Sequence, residues 1–214
     1  MLMRSFLVFA LSGSVASGGA AHAQTLRKQP SMGVAAGAGV GQLWDDETRL
    51  GGGAVLSGSV TTGLTDHVRL SGSADWLRHS RSLTYLSAEG QALSAFGRLT
   101  YVFGSPGRRV RPLAGGGLGV VRSTGTLKTP AVVAGPNGQP MLATPPSVAT
   151  DWAVTRGAYD VHGRLRIGLG PNWSLQPEVR WRATLGDAVN LAPSAIEPPL
   201  LNMSGLVSVE WRLR

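Results

Sequence analysis

The fold is decided by a stretch near the end of the sequence, Met203-Ser204-Gly205-Leu206-Val207-Ser208-Val209-Glu210-Trp211-Arg212-Leu213. One side carries Met203, Val207, Val209, Trp211 and Leu213, and the other carries Ser204, Ser208, Glu210 and Arg212. Successive side chains of a strand point to opposite faces, so this period of two predicts a β-strand with one apolar side.

Seven further segments show alternation of the same kind. It is clear in residues 68–76, 93–103, 160–169 and 175–183, and weaker in the glycine-rich residues 32–44, 50–62 and 110–122. Glycine lowers strand propensity, but it also allows the tight curvature of a narrow barrel. A dinucleotide-binding loop is the alternative for the glycine runs 37–41 and 115–119, but neither run leads into a helical pattern. We therefore expect an all-β protein with eight strands.

The connections between these segments fall into two classes. Short turns are expected at residues 63–66, 104–107 and 170–172, and longer loops between the other pairs, the largest at 124–152 and 185–202. Alternation of short and long connections is typical of antiparallel up-and-down membrane barrels, whose turns all lie at one end and whose loops lie at the other.

Residues 1–23 have the pattern of a cleaved signal peptide. Arg4 precedes the apolar run from Phe6 to Leu11, and Ala21-His22-Ala23 forms a small-residue cleavage site. A membrane anchor is the alternative, but serines and glycines interrupt the apolar run too early for it to span a bilayer. We expect residues 24–214 to form one domain, which the absence of cysteine leaves without disulfides.

The formal net charge of +8 at pH 7 raises the question of an anionic partner. The basic residues of the chain are spread along the alternating segments rather than gathered in one patch, so we expect no nucleic-acid partner. Attraction to anionic lipid headgroups or lipopolysaccharide is a better use of this charge in an exported protein.

The charged residues of the polar faces fit either a filled lumen or a solvated outer face, so it is the placement of the aromatic residues that favours a membrane barrel over a soluble one. The polar faces would join in a charged lumen network, in which each ion finds a partner: Arg69, Asp75, Arg98, Asp160, Arg164, Arg166, Glu178, Arg180, Arg182, Glu210 and Arg212. Aromatic residues near the segment ends would form two membrane-interface rings: Trp44, Trp76, Tyr159 and Trp181 beside the long loops, and Tyr101, Phe103, Trp173 and Trp211 at the other rim.

These features resemble the outer membrane protein A and X type of small bacterial β-barrel. The resemblance rests on the signal peptide, on the turn and strand of residues 63–70, and on residues 173–181. It implies a closed eight-stranded transmembrane barrel in the outer membrane, with extracellular loops. It also implies contact with outer-membrane lipids and lipopolysaccharide, and with the barrel-assembly machinery during biogenesis. Members commonly end on an aromatic residue, whereas this sequence ends Trp211-Arg212-Leu213-Arg214.

Residues suited to catalysis or metal binding are sparse. His67 is expected in a turn, His79 in a loop, and His162 in the lumen beside Asp160 and Arg164. None has the spacing of a nucleophile, base and orienting acid. The cluster Asp45-Asp46-Glu47 offers oxygen ligands for calcium, but a solvated loop is the simpler interpretation. We expect no catalytic residue, no metal and no cofactor.

The sequence thus favours a structural or surface-contact protein of the envelope. The alternatives are a lipid-modifying barrel enzyme and a soluble periplasmic barrel of the lipocalin type. Apolar and proline residues in the two largest loops suggest a contact surface or a lid, or loops that pack on each other.

Overall fold

The computed structural model describes residues 31–45, 48–84, 86–135, 137–143, 145–185 and 201–213. The predicted signal peptide of residues 1–23, the pair Asp46-Glu47 and most of the predicted loop 185–202 lie outside this part of the chain. Among the described residues, no helix is long and apolar enough to cross a membrane.

The described residues form ten β-strands. In chain order they are β1 (Met32–Asp45), β2 (Thr48–Gly63), β3 (Val68–Leu83), β4 (Leu86–Val102), β5 (Val110–Thr129), β6 (Val132–Ala134), β7 (Pro140–Leu142), β8 (Val148–Gly168), β9 (Trp173–Thr184) and β10 (Leu201–Leu213). Eight of these strands close into a barrel in the order β1-β10-β9-β8-β5-β4-β3-β2, and β6 pairs separately with β7. All pairings are antiparallel. The expectation of a closed eight-stranded barrel is confirmed.

The barrel has two unlike ends. At the turn end, the short segments 64–67, 103–109 and 169–172 join neighbouring strands, and the start of β1 pairs with the end of β10. At the opposite, hairpin end, residues 84–85 join β3 to β4, and the β6–β7 hairpin projects between β5 and β8. The register shows how strongly the strands are tilted. Starting at Gly53 of β2 and stepping from each residue to its partner on the next strand leads once around the barrel and back to β2 at Gly63. Because the path does not return to Gly53, the strands are strongly tilted to the barrel axis.

The prediction of long loops at the hairpin end is wrong for two connections. Most of residues 124–152 belongs to β5, to β8 and to the hairpin between them, and β3 and β4 are joined by only two residues. His79, expected in a loop, lies inside β3 with its side chain buried. The sequence pattern does not reveal these strand parts because their outward residues are polar, which reverses the polarity of the other strand segments.

The strand parts 77–83, 86–92, 121–129 and 148–156 form what we call the crown. Below the crown, outward residues are apolar, from Leu93 to Tyr101 in β4 and from Val110 to Val120 in β5. In the crown, most exposed outward positions are polar, such as Arg78 and Glu89, while Leu77 and Val154 are buried inside. A sheet with water outside buries its apolar face inward, so the crown has the polarity of a soluble barrel.

Candidate functional site

Inward side chains from β3, β4, β8, β9 and β10 meet in the lumen. Among the described residues, four carboxylates face inward and form salt bridges with six arginines, an arrangement we call the lumen network. Its acids are Asp75, Asp160, Glu178 and Glu210, and its bases are Arg69, Arg98, Arg164, Arg166, Arg180 and Arg182. All ten belong to the predicted set, whose remaining member, Arg212, lies at the turn end.

Asp75 lies at the centre of this network. Its Oδ1 accepts from Nη1 of Arg180 at 2.7 Å, its Oδ2 accepts from Nη2 of Arg182, and Nη2 of Arg98 lies 3.5 Å from Oδ2. The Asp75 side chain is 2% exposed, so the three guanidiniums, rather than water, stabilise its negative charge.

Asp160 forms a second centre on the opposite wall. Its Oδ2 accepts from Nε of Arg98 at 2.5 Å, which links it to Asp75 through one guanidinium. Nδ1 of His162 lies 3.8 Å from its Oδ1, and Nε2 of the same ring lies 3.1 Å from the Thr100 hydroxyl. His162 is therefore a buried member of the polar interior.

Two glutamates extend the network toward the turn end. Glu178 accepts from Nε of Arg180 at 2.8 Å and pairs with Nη2 of Arg164 at 2.9 Å. Glu210 accepts from the Ser174 hydroxyl at 2.9 Å and from the Gln176 amide at 2.6 Å. Arg69 and Arg166 each approach a Glu210 oxygen to 3.2 Å.

Several inward residues outside the predicted set complete the interior. Arg111 and Arg156 are buried, and the Phe96 ring stacks beneath the Arg182 guanidinium at 4.6 Å. His79 packs against the Trp152 ring with a centroid distance of 6.2 Å, and neither ring nitrogen has a hydrogen-bond partner within the described residues. Alternation along β4, β5 and the crown parts of β3 and β8 is the sequence signal that identifies these residues.

An apolar cluster lies between the lumen network and the hairpin end. It joins side chains from five strands, Leu43, Val55, Leu77, Ala92 and Leu206, with Val121 packed against them. Leu206 lies on the otherwise polar face of β10, and it points inward into this cluster. The lumen therefore holds a charged layer and an apolar layer in series, and both fill the interior with side chains.

The predicted interface aromatics whose side chains the structure describes lie on the outer wall, but not all of them lie at strand ends. At the turn end, Tyr101 packs on Phe103 with centroids 4.9 Å apart, and Trp173 stacks on Trp211 at 6.1 Å. Toward the hairpin end, Trp76 and Tyr159 were expected at strand ends, and this expectation is wrong because they lie well inside β3 and β8. Both mark the level where the crown begins.

Trp181 and Trp44 are the other aromatics predicted near the hairpin end. Tyr159 packs against Trp181 with centroids 5.5 Å apart, close to the end of β9. Trp44 belongs to β1, and its side chain lies outside what the structure describes, as do those of the predicted acidic cluster 45–47. Among the described residues, no group of three or more His, Asp or Glu side chains is arranged to hold a metal ion.

Similarity to solved structures appears at the level of the fold. Neisserial surface protein A is 14% identical, with a TM-score of 0.61 over 85% of this chain and 97% of that one. The fold is that of the small outer-membrane β-barrels. A major outer membrane protein of Thermus thermophilus is 12% identical, with a TM-score of 0.57 over 86% of this chain and 100% of that one. Ail of Yersinia pestis is 9% identical, with a TM-score of 0.51 over 86% and 99%.

Comparison of the sequence with models of known families finds no match, and comparison with curated proteins finds none. The outer-membrane barrel fold is thus carried here by strand order, closure and polarity rather than by a recognisable sequence motif. Function has to be argued from the barrel's own surfaces.

Proposed function

We propose that this protein is an outer-membrane barrel with a closed lumen, which serves the bacterial envelope as a structural or surface-contact element. The observation that carries the proposal is the opposite polarity of the two faces below the crown. Outward positions from Val110 to Val120 are apolar, while the inward face holds the lumen network. About ten residues of tilted strand match the thickness of the hydrocarbon core.

The same polarity argues against the soluble binding barrel. A lipocalin-like cup would bury an apolar cavity and expose charge, whereas here Leu118 is 68% exposed and Arg98 is 1% exposed. Hydrocarbon cannot satisfy open strand edges, and the closure of β1 on β10 meets this requirement of a bilayer.

The proposed orientation places the turn end in the periplasm and the crown outside the cell. The crown's polar outer wall suits water, and the β6–β7 hairpin at its top exposes Val132, Val133, Met141 and Leu142. Exposed apolar side chains on a projecting hairpin support a surface-contact role.

The membrane location is tested by fractionation and by gel mobility. We expect the full-length protein in the outer-membrane fraction, and we expect unboiled samples in detergent to migrate differently from boiled ones. Recovery in the soluble periplasm, or one mobility for boiled and unboiled folded samples, would refute the proposal.

The closed lumen is tested separately in planar lipid bilayers. Because the lumen network and the apolar cluster lie in series, we expect insertion without stepwise ionic conductance. A steady single-channel conductance from the folded protein would contradict a closed lumen, while leaving the membrane location intact.

A further inference from the structure

Five arginines gather around one cleft at the turn end of the barrel. Arg111, Arg166 and Arg212 come from the inner wall and Arg108 and Arg109 from the turn between β4 and β5, around a volume of about 390 Å³. The other described lining residues are three glycines and a leucine, so none of the lining residues that the structure describes is acidic. This excess of positive charge distinguishes it from the lumen network above, where carboxylates pair with the arginines.

Two guanidinium nitrogens at this cleft are buried without a partner. Nη2 of Arg166 and Nε of Arg212 make no hydrogen bond within the described residues. Arg166 is 5% exposed, and its Nε already contacts Glu210 at 3.2 Å and the Ser174 hydroxyl at 3.3 Å. A buried charged donor without an acceptor is costly, so an acceptor supplied by a ligand would be stabilising.

The carboxylate that Arg166 contacts is already shared with other donors. Glu210 is shared among Arg69, Arg166, Ser174 and Gln176. Asp66 lies in the adjacent turn, where its backbone carbonyl accepts from Nη2 of Arg111 at 3.3 Å.

Backbone carbonyls hold two of the arginines in position. Arg111 donates to the carbonyls of Phe103 at 3.4 Å and Gly104 at 3.0 Å, and Arg109 donates to that of Gly168 at 3.2 Å. Charge repulsion among neighbouring guanidiniums is therefore opposed by bonds that fix their positions before any ligand arrives.

We propose that this cleft is an anion site that binds a phosphate group. A phosphate presents several oxygens and as much as two negative charges, which suits guanidiniums converging from β5, β8 and β10 better than a single carboxylate does. The phosphate would belong either to a lipid headgroup at the adjacent membrane surface or to a free phosphate ester.

Inorganic phosphate is the probe for the chemistry. The full-length protein, folded in a detergent that lacks phosphate, is titrated by calorimetry at constant ionic strength. We expect saturable binding that chloride does not reproduce, and we expect Arg212→Gln to weaken it about tenfold. The side chain of Arg212 makes no salt bridge within the described residues, so this change spares Glu210.

Two further variants make the result decisive. Arg108→Gln alters an exposed residue of the turn between β4 and β5, and we expect a smaller loss of affinity. Arg78→Gln removes the same charge from the crown, at the opposite end, and should leave binding unchanged. Absence of saturable binding, equal affinity in wild type and both cleft variants, or an equal loss in Arg78→Gln would overturn the proposal.

A second arm distinguishes the two sources of phosphate. In phosphatidylglycerol nanodiscs, a headgroup occupying the cleft would exclude the free ion, so inorganic phosphate would bind more weakly than in detergent. Equal affinity in both settings would assign the cleft to a soluble phosphate ester. Because the detergent titration does not depend on cellular location, its failure would leave the proposed outer-membrane role untouched.

Discussion

At the scale of single residues, Asp75 is the carboxylate whose loss we expect to lower the stability of the folded barrel most. It contacts Arg98, Arg180 and Arg182 in the closed interior, so Asp75→Asn removes a negative charge that these three guanidiniums share. We expect the free energy of unfolding in lipid vesicles to fall by about 3–5 kcal/mol. Asp151→Asn is the matched control, because Asp151 is exposed on the crown and bonds Thr126; an equal loss in both variants would contradict the argument.

Glycine in the wall is required at particular positions only. A Cβ at Gly117 would lie 2.4 Å from the Gly97 carbonyl oxygen and 2.7 Å from Cγ of Arg98, whereas a Cβ at Gly72 meets nothing within 4 Å. We expect Gly117→Ala to destabilise the folded barrel by about 1–3 kcal/mol through overpacking, and Gly72→Ala to leave it nearly unchanged. Urea unfolding followed by tryptophan fluorescence measures both, and similar midpoints would show that the wall relaxes around Gly117.

The sequence could identify inward charges but not their partners. Alternation alone places Arg98 and Asp160 on polar faces. Their contact across 62 residues depends on strand order and tilt, which no local pattern encodes. His79 was placed wrongly for a related reason, because the strand around it buries apolar Leu77 and exposes Arg78.

At the scale of elements, the crown explains why strand lengths were underestimated. A search for outward apolar residues finds only the part of each strand whose outer face is apolar, whereas β5 continues from Val120 to Thr129 with Arg122 and Lys128 exposed. The count, order and antiparallel pairing of the barrel strands were nevertheless within reach of the sequence, because each strand crosses the apolar band once.

The β6–β7 hairpin is separable from the barrel. Its strands pair only with each other among the described residues, and the β5–β8 ladder is complete at Thr129 and Val148. Replacing residues 130–147 with a short glycine-containing turn should leave heat-dependent gel mobility unchanged. Loss of the folded form in that variant would mean that the hairpin is needed to bring β5 and β8 together.

At the scale of the whole molecule, the apolar band predicts where a charge is tolerated. Leu118 projects outward within the band, and Thr126 projects outward on the crown of the same strand. We expect Leu118→Arg to destabilise the protein in vesicles by about 2–4 kcal/mol and Thr126→Arg to cost close to nothing. Equal effects in vesicles would place the bilayer boundary elsewhere.

The pairing of Met32 with Leu213 sets the timing of assembly. β1 finds one of its two neighbours only after β10 has been synthesised, so a ribosome must release almost the whole barrel before its first strand is satisfied on both edges. Contacts between residues so distant in sequence form slowly. Until β1 pairs with β10, the unpaired strand edges can associate with other chains. We therefore expect the chain to need a chaperone between synthesis and barrel closure, and we expect a chain cut short before β10 to be degraded rather than to accumulate.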